Sequence, residues 1–120
     1  MSETQSEALV VAQRYFDLSN ARDLDAVESL FTETSTYSSD NTGVYFGKKQ
    51  IMAMMRPFFE KFTDLKWSVK SAEEIRPGVV LFDFTFSGIT TSGESVQRAG
   101  REYVIVYDGK LQHVEVRNEV

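Results

Sequence analysis

The chain has 120 residues, 42% of them hydrophobic and 26% charged, with two prolines and a formal net charge of −5. That length and apolar content suffice for one sizeable core, so a single domain over residues 1–120 is expected. The acidic balance argues against nucleic acid as a partner, and with no cysteine and one histidine neither thiolate nor multi-histidine metal sites are available, so no metal or other cofactor is expected.

The polar start, Met1 to Glu7, has no apolar signal-like region, and no run is long enough to span a bilayer. A cytoplasmic protein without a membrane partner is the expectation. Thr4-Gln-Ser-Glu7 has the form of a capping box. Ala8, Val11, Ala12, Tyr15 and Phe16 then recur at helical spacing toward Asn20. Asp23 is placed to cap a short second helix carrying Leu24, Val27, Leu30 and Phe31. A polar stretch follows, read as a short hairpin of Thr34–Ser39 and Val44–Phe46 around an Asp40–Gly43 loop. Gly47 then opens a third helix with Ile51, Met54, Met55, Phe58 and Phe62 on one face, in which Pro57 predicts a kink or break.

From Leu65 onward the period changes to two. Leu65, Trp67 and Val69 alternate with polar residues, and Arg76-Pro-Gly78 turns the chain into Val80, Phe82, Phe84 and Phe86. Two more strands follow, separated by turns at Thr91–Glu94 and Tyr107–Lys110. Asp108-Gly109 favours a type I′ hairpin because both positions tolerate positive φ. With two-residue loops at both turns, Phe84 opposes Arg101, Phe82 opposes Tyr103 and Val80 opposes Ile105. One ring-lined face then holds Phe82, Phe84, Phe86, Tyr103, Ile105, Val114 and Val116. The other holds Asp83, Thr85, Glu102, His113 and Glu115 among Leu81, Val104 and Val106. A one-residue slip or a bulge, for which Gly88 and Gly100 are candidates, would exchange the lists.

The element order implies an α+β fold, with three N-terminal helices packed on the concave face of a curved, mainly antiparallel sheet. Such a sheet leaves a cavity suited to an apolar small molecule. Met55, Phe58, Trp67, Phe82 and Phe84 are the candidate pocket residues. The leftover apolar residues of the outer face suggest a homodimer.

In Gln13-Arg14-Tyr15, Asn20-Ala21, Asp23-Leu24-Asp25, Leu30-Phe31, Gly47, Ile51 and the Asp108-Gly109-Lys110 turn, the chain resembles the nuclear transport factor 2-like superfamily. It is most similar to the ketosteroid isomerase and SnoaL-like branch. The resemblance implies a cone-shaped fold, a small hydrophobic ligand bearing a carbonyl group, sheet-to-sheet dimers, and an isomerase-, dehydratase- or cyclase-type proton transfer. It places Tyr15 at an oxyanion-hole tyrosine and Ser38 at the general-base aspartate, a position where a hydroxyl cannot abstract a carbon-bound proton unaided. The second oxyanion donor, a protonated aspartic acid in the isomerases, falls near Tyr103 or on Arg101. Asp40, two residues beyond Ser38, is a candidate replacement base. The candidate catalytic set is therefore Tyr15, Asp40, Arg101 and Tyr103. Three of the four also have a plainer reading: Tyr15 as core, Asp40 as a turn residue, Arg101 as a snorkelling cation. His113 reads as a surface or interface residue, and a non-catalytic binder or structural dimerisation module is the alternative function.

Overall fold

The computed structural model describes residues 6–118. Its elements run α1 (Glu7–Asn20), α2 (Leu24–Glu28), β1 (Phe31–Ser39), β2 (Gly43–Phe46), α3 (Gly47–Glu60), β3 (Phe62–Arg76), β4 (Val79–Thr90), β5 (Ser95–Tyr107) and β6 (Lys110–Asn118). The strands form one six-stranded sheet in the order β2-β1-β6-β5-β4-β3, antiparallel throughout except for the β1–β6 pair. The helices pack on one face of it. This is the expected α+β cone.

Local chemistry sets the boundaries. Ser6 caps α1 by accepting from the Leu9 N–H at 3.1 Å. The capping box anticipated from Thr4 lies partly outside the described residues. Asp23 caps α2, accepting from the Ala26 N–H at 3.2 Å. Pro57 does not break α3, which runs on to Glu60. The proline sits near the helix end and removes a single N–H, while Met55 and Phe59 on the buried face hold the last turn to the sheet. Asn20 ties the end of α1 to β3, its Nδ2 donating to the Trp67 carbonyl at 2.9 Å and its Oδ1 accepting from the Trp67 N–H at 2.8 Å.

The sheet register departs from expectation in one strand. Phe82 faces Glu102, Phe84 faces Gly100 and Val80 faces Val104, one residue off the anticipated pairing. The first hairpin has three loop residues, with Thr90 pairing to Glu94 and Gly93 taking φ +90°. Such a loop, ending in a left-handed glycine, is the next commonest hairpin after the two-residue kind. The Asp108-Gly109 turn does have two residues, with φ of +54° and +71°. Beyond it a register shift opposite Ile105 and Val106 inserts an extra residue in β6. The bulge therefore lies at neither Gly88 nor Gly100. β4 and the far half of β6 keep their anticipated faces. In β5, however, Glu102, Val104 and Val106 turn inward, and Arg101, Tyr103 and Ile105 turn outward.

The core lies between this inner face and the helices. Phe16 packs on Phe82 with ring centroids 4.4 Å apart, and Val80, Val104 and Val114 are fully buried beside them. Among the described residues no helix is long and apolar enough to cross a membrane.

Candidate functional site

Packing is not solid from end to end. Between α1, α3 and the widening sheet lies a cavity with about 50 Å³ open to the centre of a water molecule, room for roughly four waters. Three aromatic residues, Trp67, Phe84 and Phe86, make its sheet wall, with Trp67 and Phe86 centroids 4.9 Å apart. α3 supplies the opposing wall through Met54, Met55, Phe58 and Phe59. These positions recur at helical spacing, and unbranched methionine conforms to irregular shapes. α1 contributes Tyr15, Phe16 and Ser19, while Asn41 and Thr42 from the β1–β2 loop and Asn118 at the end of β6 add polar atoms.

Glu102 is the polar centre of this apolar space. The residue is 3% exposed and lines the cavity, and its Oε2 has no hydrogen-bond partner among the described residues. Burial disfavours the charged form, pushing the carboxyl up to about 8. It is therefore mostly neutral at pH 7 and can donate a hydrogen bond. Tyr15 and Tyr37 bring their hydroxyls together nearby. Burial raises both phenols well above the ordinary tyrosine value, and the proximity of Glu102 adds to each. Both stay protonated. The Thr42 hydroxyl, on the same cavity, is also buried with no hydrogen-bond partner among the described residues. An apolar chamber holding a neutral acid, two phenols and an orphaned hydroxyl can polarise an acceptor oxygen or pass it a proton.

Of the four candidate catalytic residues, the structure brings only Tyr15 to this cavity. Arg101 and Tyr103 are corrected to the outer face by the β5 shift, where Arg101 Nε donates to Asp83 Oδ1 at 3.1 Å. Asp40 is corrected as well. It lies outside the cavity lining, accepting from the Asn118 N–H at 2.9 Å and from Arg117 at 2.9 Å. Those two partners hold its carboxyl below the usual range, the opposite of what a proton-abstracting group needs. Ser38 is also outward, within 3.4 Å of Arg117. Met55, Phe58, Trp67 and Phe84 line the cavity as anticipated, whereas Phe82 is fully buried core against Phe16. His113 lies on the outer face, its Nδ1 2.7 Å from the Thr36 hydroxyl and its Nε2 3.2 Å from Glu115.

Sequence reasoning missed Glu102, Tyr37 and Arg98, the last of which also lines the cavity. The isomerase resemblance pointed to an acid near Tyr103, and the carboxyl stands one residue earlier. Gly93 was the available signal, since a left-handed glycine closing a three-residue loop shifts every inward position of β5 by one. Among the described residues no three His, Asp or Glu side chains gather as a metal site would require.

Residues 12–114 match a family model described as a SnoaL-like domain. No curated protein sequence matches the chain. Among solved structures it is similar to a nuclear transport factor 2-like protein from Anabaena variabilis, with 17% identity, a TM-score of 0.84, and 100% of this chain and 96% of that one covered. It is also similar to an epoxide hydrolase of M. tuberculosis, with 15% identity, a TM-score of 0.83, and 94% and 83% covered. A third is TerC co-crystallised with polyporic acid, with 12% identity, a TM-score of 0.81, and 95% and 92% covered. At such identities the likeness speaks to the fold.

Proposed function

The chain belongs to the SnoaL-like family of the nuclear transport factor 2-like superfamily, and from that premise we propose that it binds a small, mostly apolar molecule through a carbonyl or hydroxyl oxygen. The ligand lies among Trp67, Phe84, Phe86 and the methionines of α3. Its oxygen takes hydrogen bonds from the neutral Glu102 carboxyl and from the Tyr15–Tyr37 pair. One observation carries this reading: an unpaired carboxyl oxygen buried in an aromatic chamber. Leaving such a group unsatisfied costs on the order of 1–3 kcal/mol, which a ligand oxygen would recover. The epoxide hydrolase and the polyporic acid complex among the structural neighbours agree with a small-molecule role.

Glu102 then serves as general acid in an isomerase-, dehydratase- or cyclase-type step, giving its proton to the oxygen that gains charge. A binder without turnover is the second reading, favoured by the outward Ser38 and the ion-paired Asp40. The outer face, with Leu81, Tyr103 and Ile105, is proposed as a homodimer contact.

Acetophenone, a small aryl ketone, tests the pocket. Calorimetric titration should show binding to the wild type, weakened roughly fivefold in Tyr15→Phe, which deletes one hydroxyl donor worth about 1 kcal/mol. No detectable binding to the folded wild type, or identical affinity in the variant, overturns the assignment.

A further inference from the structure

The inward positions of β5 hold more than Glu102. Arg98, Gly100 and Glu102 face the helices in succession, opposite Phe86, Phe84 and Phe82. Arg98 and Glu102 both line the cavity. Gly100 between them leaves the strand bare, and a Cβ there would stand 3.1 Å from the Phe84 ring and 2.6 Å from the Arg117 carbonyl oxygen. Four residues of extended strand set the Arg98 and Glu102 backbones roughly 13 Å apart. Trp67, Phe86 and Arg98 occupy one rung across three strands. Arg98, half-buried as a residue, therefore stands next to the aromatic wall on the cavity lining. Arg56, Arg101 and Arg117 each pair with a carboxylate, whereas no carboxylate of the described residues pairs with Arg98.

We propose that the ligand is a ring-bearing carboxylate, seated with its carboxylate on Arg98, its ring against Trp67 and Phe86, and an acceptor oxygen at Glu102. This deepens the pocket reading and rests on it. An arginine fork matches a carboxylate with two parallel N–H donors, and beside apolar rings that pairing is screened less than at an open surface. In a chain of net charge −5, Arg98 is the one Lys or Arg of the described residues that lines this cavity, which is also a selective feature.

The test compares 4-acetylbenzoate with its neutral isostere 4-acetylbenzamide by calorimetric titration against wild type, Arg98→Gln and Arg98→Lys, each checked by circular dichroism for unchanged fold. The expected result is a preference of roughly tenfold for the acid in the wild type. It should be lost in Arg98→Gln and partly kept in Arg98→Lys. Equal affinities in the wild type, or a preference that survives Arg98→Gln, overturn the anion assignment while acetophenone binding leaves the pocket reading standing. If acetophenone, the acid and the amide all fail to bind, both fall together.

Discussion

A carboxyl taken out of water into an apolar chamber is disfavoured when charged, and Glu102 carries that burden inside the fold. The consequence for stability has a definite sign. Its folded value, about 8, lies above the ordinary 4.5, so between those limits the native state holds a proton that the unfolded chain has released. The stability that this proton contributes is therefore complete below about pH 4.5 and is lost as pH rises toward 8, by about 1 kcal/mol per pH unit. Asp40, Glu74 and Glu115 have lowered values and act below that window. Glu102→Gln removes the titrating group without changing its shape. Urea unfolding from pH 5 to 8 should give a decline in the wild type that the variant lacks, and parallel profiles would refute a neutral buried acid.

At the level of elements, hydrogen bonds as well as core packing join the helices to the sheet, and the Asn20 amide supplies two of them. Its paired hydrogen bonds to the Trp67 backbone extend the edge of β3 as a further strand would. Asn20→Ala deletes both and should cost about 2 kcal/mol in chemical unfolding. A cost under a few tenths would show the helix end to be held by packing alone. Most elements were legible in the sequence, because Asp23, the Pro77-Gly78 turn and Asp108-Gly109 each act locally, whereas the cap of α1 is Ser6 and not the anticipated Thr4. The face of β5 was not. It depends on a three-residue loop and on an extra residue in β6, and each shifts the pairing without disturbing the period-2 pattern of the strand. Alternation reports that a strand is half-buried, and only the turn decides which half. Glu102 and Arg101, adjacent in sequence, accordingly exchanged roles. Tyr15 was legible because α1 has a single apolar stripe, with no register to slip.

At the scale of the whole molecule, the cone has one side filled by helices and another that presents Leu81, Tyr103 and Ile105 between polar residues. Ile105, near the end of the central strand β5, is 36% exposed. A second copy laid on this face would cover it, and the Arg101–Asp83 and His113–Glu115 pairs would form a polar surround. Sedimentation velocity should show a dimer that Ile105→Glu converts to a monomer of unchanged circular dichroism. A wild-type monomer at high micromolar concentration would exclude the contact.

The account turns on a protonated Glu102 facing a ligand chamber, and the most direct measurement is an NMR titration of its side-chain carboxyl carbon in protein labelled at glutamate. A midpoint near 8, moving further upward when acetophenone is bound, is the predicted result. A midpoint near 4.5 that ignores the ketone would contradict it.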